Sequence, residues 1–325
     1  MTTSRIVELA EFGAPDVLKL VQREIAPPAA GEVQIRHTAI GFNFIDIYQR
    51  KGIYPLPLPT GLGFEAAGVV EAVGEGVREP EVGARVAYMN AGVGAYSERR
   101  NVAADKLVAL PDSVSDDMAA TLLFKGMTAQ YLVRKTHKVE PGDVVLVHSA
   151  AGGVGQILTR WATALGAIVF GTTGSPEKRE TALAAGCREV LDLNDPQWPE
   201  AFLAAAGKKA RVVYDAVGKD TLLRSLDCAV PFGLVVSYGA SSGKAPSIDP
   251  EVLNKKGCLF LTRPSVFPHN ADPATFRANA ADLFDAIANG HVKADIGARF
   301  RLDHIAEAHR AAEERRVKGA ILIIP

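Results

Sequence analysis

Apolar positions recur along this chain in two different rhythms. From about residue 5 to residue 124, apolar and polar residues alternate in short runs: "RIVELAEF" from Arg5, "EVQIRHTAIGF" from Glu32, "AGVVEAVG" from Ala67 and "ARVAYMN" from Ala84. Alternation of this kind puts successive side chains on opposite faces of a half-buried strand. Turn-forming clusters such as "PPAAG" and "EPEVG" separate the runs. This part therefore reads as mostly β with non-local pairing, a partly closed barrel or a sandwich.

Near Lys125 the texture changes. "VVLVHS", "AIVFGT", "EVLDL", "RVVYDAV", "GLVVSYG" and "LFLTRP" are short apolar runs, most of them separated by helical patterns of ten or more residues. Parallel strands buried on both faces and joined by crossover helices read this way. Six of them suit a doubly wound sheet built from two mononucleotide-binding halves. Beyond Pro264 come two amphipathic helical patterns, "PATFRANAADLFDAIANG" and "LDHIAEAHRAAEERR", the second with Asp303 as its expected N-cap. The chain closes with a strand-like "GAILIIP", and the tail is expected to return to the first domain. The expected fold class is α/β.

Length and composition narrow the classes. A chain of 325 residues is long for one core, so two domains are expected. Hydrophobic residues at 48% and charged residues at 22% are an ordinary globular balance. With 36 basic and 37 acidic residues the net charge is −1, which favours neither nucleic acid nor an anionic membrane. The three cysteines, Cys187, Cys228 and Cys258, are too few and too scattered for a disulfide framework or a Cys-rich zinc site. They suit a reducing compartment. No apolar run reaches the roughly 18 residues a membrane span needs, and "MTTSRIVELAEFG" has no secretory apolar segment. The expectation is a soluble, cytoplasmic protein.

Candidate chemistry begins at the turn after "VVLVHS". Its six positions, Ala150, Ala151, Gly152, Gly153, Val154 and Gly155, match G-x-G-x-x-G with alanine for the first glycine. A clean strand precedes the turn and an uninterrupted helix follows it. Backbone N–H groups at such a helix start hold a phosphate with help from the helix dipole. At the end of the next strand, NAD-binding units place an acid that accepts from the ribose hydroxyls. Here that place holds Thr172, Thr173, Gly174 and Ser175, with Lys178 three residues on. A carboxylate would repel a 2′-phosphate; its absence, with Lys178 to neutralise the charge and Ser175 to donate to it, points to NADPH.

Taken together, "GFNFIDIYQRKGIYP", "GLGFEAAGVVEAVG", "AYSERRNV", "LFKGMTAQYLVRKTHKVEPGD", "HSAAGGVGQ" and "RVVYDAVG" resemble the zinc-free NADPH:quinone oxidoreductases, the zeta-crystallin-like group of the medium-chain dehydrogenase/reductase superfamily, above all its bacterial members. The resemblance runs over essentially the whole chain. It implies a GroES-like, mostly-β catalytic domain over 1–124 and 265–325, and a six-stranded Rossmann domain over 125–264, with cofactor and substrate in a cleft. It also implies a homodimer or tetramer, with "CLFLTRP" as the edge strand through which two Rossmann sheets join.

The same resemblance assigns residues. Zinc-dependent relatives carry a Cys and a His where this chain has Asn43 and Phe64, and no Cys occurs in the first 186 residues. No metal is therefore expected, and His37, His137 and His148 are expected as surface or packing residues. Phe44, Ile45, Asp46, Ile47 and Tyr48 would line the cleft beside nicotinamide, with Tyr131 at the entry to the second domain and Gly153 and Val154 at the pyrophosphate. Gly174, Ser175, Pro176, Glu177 and Lys178 would surround the 2′-phosphate. Val217, Tyr238, Gly239, Ala240, Ser241, Pro264, Ser265 and Val266 follow later strands at their carboxyl ends. Arg315, on the last helix, is a candidate second phosphate contact or a member of the charged surface run "EERR". Leu193 stands where bacterial relatives carry a tyrosine near the adenosine phosphate. One charge-assisted contact worth roughly 1–3 kcal/mol is then lost, and Asp192 and Asp195 would weaken the preference for NADPH further.

Asn43, Tyr48 and Tyr54, with Tyr131, are the expected orienting groups for substrate oxygens, and Ile53 and Leu56 the apolar walls. Without a Lewis acid the acceptor must already be electrophilic, which fits quinones and conjugated enones. The leading expectation is an NADPH-dependent quinone reductase. The alternatives are an enone or alkenal double-bond reductase on the same fold, and a non-enzymatic, crystallin-like NADPH- or RNA-binding protein. The balanced charge, with no basic stripe, disfavours RNA.

Overall fold

The computed structural model describes residues 2–325. In chain order it begins with strands β1 (Thr2–Leu9), β2 (Leu18–Ile25) and β3 (Glu32–Gly41), helix α1 (Phe44–Arg50), and β4 (Thr60–Gly61), β5 (Glu65–Val73), β6 (Arg85–Met89), β7 (Arg99–Ala103) and β8 (Val108–Ala109). Helix α2 (Asp116–Tyr131) leads into β9 (Val144–Val147), α3 (Gly153–Ala164), β10 (Ile168–Thr173), α4 (Arg179–Ala184), β11 (Glu189–Asp192), α5 (Trp198–Ala206), β12 (Ala210–Asp215), α6 (Leu222–Cys228) and β13 (Ala229–Ser237). Then come α7 (Pro250–Lys255), β14 (Phe260–Thr262), α8 (Val266–His269), α9 (Pro273–Ala288), β15 (Ile296–Arg301), α10 (Ile305–Glu313) and β16 (Ala320–Ile324).

Two compact units result. One comprises the chain up to Phe124 with Asn270–Pro325, the other Lys125–His269, so the switch falls within α2 and residues 265–269 group with the second unit. In the first unit, β1 pairs antiparallel with β2 from Thr2↔Ile25 to Leu9↔Leu18 and also meets β4. The larger sheet runs β15-β16-β3-β5-β6-β8, with β7 also on β3. β3 carries register shifts at Gln34/Ile35 and His37/Ala39, bulges that sharpen the local twist. Its apolar alternation faces inward: Val33, Ile35 and Ile40 join Val70, Val86, Tyr88, Leu302, Ile321 and Ile323 in one core. His37 is buried in this unit, its Nδ1 2.7 Å from the Ser97 carbonyl and its Nε2 3.0 Å from the Tyr88 hydroxyl. Burial lowers its pKa to about 4, so it packs as a neutral ring. Asp303 is not the cap of the last helix. It sits inside a 3₁₀ turn, Leu302–His304, and His304 takes the N-cap position of α10.

The second unit is a six-stranded sheet of order β11-β10-β9-β12-β13-β14, parallel throughout. Its strands are continuous apolar runs because both faces are covered. Val144, Leu146, Phe170, Val213 and Val235 meet Trp198, Phe202, Leu222 and Leu226 of α5 and α6. The order reverses at β9, with β10 on one side and β12 on the other. Beyond the carboxyl ends of strands at such a switch point lies the crevice where open α/β sheets bind ligands. β14 is the edge strand, and its Phe260 is 62% exposed.

Candidate functional site

The turn after β9 is built by close approach. Ser149 has the left-handed φ of 54° while Ala150 does not have a positive φ, so alanine is tolerated at the motif's first position. The Gly152 N–H closes the turn on the Ser149 carbonyl at 2.8 Å, and α3 begins at Gly153. Gly155 permits the approach of helix to strand: a Cβ there would lie 2.2 Å from the Ser149 carbonyl oxygen. Gly153 and Val154 present their backbone at the first turn of a 12-residue helix, where N–H groups lack intrahelical partners. Lys125, which the motif-based reading did not single out, runs alongside. Its Cδ and Cε lie 3.4 and 3.5 Å from where a Gly153 Cβ would be. Nothing in the spacing of a glycine motif reveals a residue brought there from another helix.

The end of β10 is free of acids. Gly174 is exposed and has open space around its Cα, and Pro176–Lys178 form a 3₁₀ turn with Glu177 and Lys178 facing solvent. Asn194 holds this loop by donating Nδ2–H to the Gly174 carbonyl at 2.9 Å, a second residue missed from sequence. Leu193, half-buried, packs on the core of this unit. The two acids beside it are engaged locally. Asp192 accepts the Asn194 N–H at 2.9 Å and Asp195 the Gln197 N–H at 2.8 Å. Both carboxylates are thereby committed to the β11–α5 turn.

At the ends of β12 and β13 two loops are laced together. The N–H groups of Ser241 and Ser242 donate to the carbonyls of Ala216 and Val217 at 3.2 and 3.0 Å, and the Ser242 hydroxyl donates to Val217 at 2.9 Å. Gly239 allows this, since a Cβ would fall 2.3 Å from the Ala216 carbonyl. Arg263, after β14, donates to Ser237, its hydroxyl and the Gly239 carbonyl at 3.0, 3.2 and 2.7 Å. It thereby fixes the Tyr238–Ser241 segment. Pro264, Ser265 and Val266 follow directly, with Val266 buried at the start of α8. Gly153, Val154, Gly174–Lys178, Leu193, Val217, Tyr238–Ser241 and Pro264–Val266 thus all lie along one edge of one sheet.

Tyr131 differs from expectation. It is 2% exposed, and its ring stacks on His269 at 4.5 Å and 4°. Burial raises the phenol pKa and lowers that of His269, so both are neutral packing rings, and an open substrate-orienting hydroxyl at Tyr131 is not what this structure presents.

In the first unit, α1 divides the expected residues. Phe44 is 57% exposed, Ile45 and Tyr48 are half-buried, and Tyr48 meets Tyr54 edge-on at 5.7 Å. With Ile53 exposed, these form an apolar face carrying two phenols. The other α1 residues turn inward. Asp46 is 0% exposed and accepts the Asn43 N–H at 2.8 Å and the Tyr96 hydroxyl at 2.7 Å. Ile47 belongs to the core. Asn43 is the buried N-cap of α1, and its amide donates to Glu65 at 2.7 Å. These three side chains are buried and hold the helix start in place. Arg315 lies beyond the end of α10 in a left-handed turn, φ 56°, and is exposed; it is not a helix residue.

The two expected zinc-ligand positions are occupied by other work. Phe64 packs toward Phe124 at 6.2 Å, and Glu65 accepts the Phe124 N–H at 2.7 Å as well as the Asn43 amide. Among the described residues no group of three or more His, Cys, Asp or Glu could hold a metal ion, and no helix is long and apolar enough to cross a membrane.

Residues 29–141 match the family model described as the alcohol dehydrogenase GroES-like domain, and residues 153–283 the model described as zinc-binding dehydrogenase. The chain is 43% identical over 321 residues to a quinone oxidoreductase of Pseudomonas aeruginosa, covering 98% of this chain and 99% of that one. It is 42% identical over 322 residues to a 2-haloacrylate reductase of Burkholderia sp, covering 96% of each. A solved structure of Escherichia coli quinone oxidoreductase complexed with NADPH superposes with a TM-score of 0.93 at 42% identity, covering all of both chains.

Proposed function

Because this chain belongs to the quinone oxidoreductase family of the medium-chain dehydrogenases and reductases, we propose that it is an NADPH-dependent reductase acting on quinones without zinc. The observation that carries the cofactor reading is the acid-free end of β10, where Lys178 faces solvent beside a loop held by Asn194. A 2′-phosphate there would meet a cation and backbone N–H groups, with Asp192 and Asp195 each accepting a backbone N–H of their own turn and Glu177 as the one carboxylate within the loop. The glycine contacts at Gly155 and Gly239 fit the same ligand, since both keep Cβ atoms out of backbone approaches that shape the crevice.

When bound, NADPH supplies a hydride that an electrophilic acceptor takes without a Lewis acid. This chain's residues supply binding and orientation. Gly153 and Val154 would hold the pyrophosphate at the α3 N-terminus, with the Lys125 stem beside them. Phe44, Ile45, Tyr48, Ile53 and Tyr54 give a flat ring an apolar wall, and the phenols of Tyr48 and Tyr54 donate to its oxygens. Zinc has no role in this reading: Phe64 has no donor atom and the Asn43 amide is spent on Glu65. Two copies join along β14, where Phe260, with Phe232 of the adjacent β13, leaves apolar surface exposed. Sedimentation should give a dimer that Phe260→Lys weakens, and a monomeric wild type would refute that pairing.

The likeness to a 2-haloacrylate reductase keeps conjugated double bonds as the second reading. Turnover with 1,4-benzoquinone and 9,10-phenanthrenequinone, set against a conjugated enal and 2-chloroacrylate, separates the two. Brisk quinone reduction with slow alkene reduction is expected. The reverse ranking would replace the first reading with the second.

A further inference from the structure

Behind the crevice a chain of buried polar side chains crosses the second unit. His148 follows β9, with Nδ1 2.9 Å from Thr172 Oγ1 and Nε2 3.0 Å from Ser225 Oγ. Asp215 anchors the far end. Its Oδ1 accepts the N–H groups of Val217 and Gly218 at 2.9 Å each and the Thr221 hydroxyl at 2.8 Å. Its Oδ2 accepts the Ser225 hydroxyl at 2.8 Å. His148, Thr172, Asp215 and Ser225 are all fully buried. The arrangement differs from a hydrolytic triad, because the serine stands between imidazole and carboxylate and is sealed from solvent.

Proton counting gives the chain one direction. A carboxylate only accepts, so the single Ser225 hydroxyl proton goes to Asp215 in preference to the Thr221 carbonyl at 3.0 Å. Nε2 of His148 must then carry a proton and donate it to Ser225. Nδ1 is left to accept from the Thr172 hydroxyl. Burial favours the neutral ring over the opposing pull of Asp215, and Trp198 holds the ring edge-on at 4.9 Å.

Each end of this chain sets a ligand-facing segment. Thr172 immediately precedes Thr173 and the Gly174–Lys178 turn, and its carbonyl accepts the Ala150 N–H at 3.1 Å, fixing the start of the glycine turn. Asp215 fixes the Val217–Gly218 turn, whose Val217 carbonyl in turn receives Ser242. We propose that His148 is a positioning residue for the dinucleotide, joining through Thr172, Ser225 and Asp215 the strand ends that carry the glycine turn, the adenosine-phosphate turn and the Val217 turn. This rests on the NADPH reading above. All four side chains are sealed from solvent, so their loss loosens binding and leaves the chemical step alone.

The Thr172 hydroxyl offers the least disruptive test, because Thr172→Val is nearly isosteric and Thr172→Ser keeps the donor. The full-length protein is titrated with NADPH by calorimetry and assayed with a quinone, and the imidazole ¹⁵N spectrum of His148 is recorded without cofactor. The account expects a neutral ring protonated on Nε2. It expects Thr172→Val and His148→Phe to raise both Kd and KM for NADPH about ten-fold at unchanged kcat, and Thr172→Ser to stay within about two-fold of wild type. The double variant His148→Phe/Thr172→Val should be no weaker than His148→Phe alone, since one chain is broken once. Thr172→Val binding NADPH like wild type, a proton on Nδ1, or a fall in kcat at unchanged KM would each overturn it. A wild-type protein that binds no NADPH would sink the cofactor reading itself, and this proposal with it.

Discussion

In the proposed cofactor reading, two lysines of the second unit would meet different phosphates, and this separates them experimentally. Lys178 stands at the acid-free end of β10, so Lys178→Glu should raise KM for NADPH about 10- to 100-fold and barely move that for NADH, which lacks the 2′-phosphate. Lys125 lies beside Gly153, where the proposed reading puts the pyrophosphate that both cofactors share. Lys125→Gln should therefore weaken NADPH and NADH to the same degree. Steady-state kinetics of the two variants with both cofactors checks the pair; equal losses for Lys178→Glu would remove that lysine from the phosphate. The place of Lys178 just after β10 was legible because the apolar run and the turn behind it are local in sequence. Lys125, Asn194 and Arg263 were not, since each reaches its place from a different segment of chain and carries no local motif. Asn43, Asp46 and Tyr131 show the converse. They sit inside motifs that resemblance assigns to ligands, yet their side chains are consumed by Glu65, by Asn43 and Tyr96, and by His269.

At the scale of elements, the crevice depends on backbone approaches that leave no room for a methyl group. Gly155→Ala would push a Cβ against the Ser149 carbonyl at 2.2 Å, forcing α3 away from β9 and shifting the first-turn N–H groups that the proposed reading gives to the pyrophosphate. A loss of about 1–3 kcal/mol in stability is expected, together with a higher KM for both cofactors. Thermal melts and kinetics on the same sample test it, and an unchanged melt with unchanged KM would contradict the packing role. Apolar periodicity marked the six strands of this sheet because burial on both faces leaves little else for their residues to be. Helix ends were less legible. Asp303 and Arg315 both belong to turns flanking α10, where a 3₁₀ turn and a left-handed residue shift the boundaries by a residue or two.

Across the whole molecule, three histidines are buried as neutral rings. His37 has its pKa lowered by burial from 6.5 to about 4, His309 by burial and then Arg50 to about 3, and His148 is lowered by burial. The unfolded chain takes up these protons near pH 6.5 while the folded chain resists, so the unfolded state binds more protons between about pH 6.5 and pH 4. Stability is fully present above that window and falls on acidification through it, by about 3 kcal/mol for His37 alone. The melting temperature should drop between pH 7.5 and pH 5; a flat or rising profile would contradict the neutral burial. Composition could not have shown this, since it counts histidines without saying what encloses them. The central claim is tested most directly by following NADPH oxidation at 340 nm with 1,4-benzoquinone after exhaustive treatment with a metal chelator, and repeating it with NADH. The account predicts undiminished turnover after chelation and a distinctly lower KM for NADPH than for NADH, whereas activity lost with the metal, or no oxidation of NADPH at all, would contradict it.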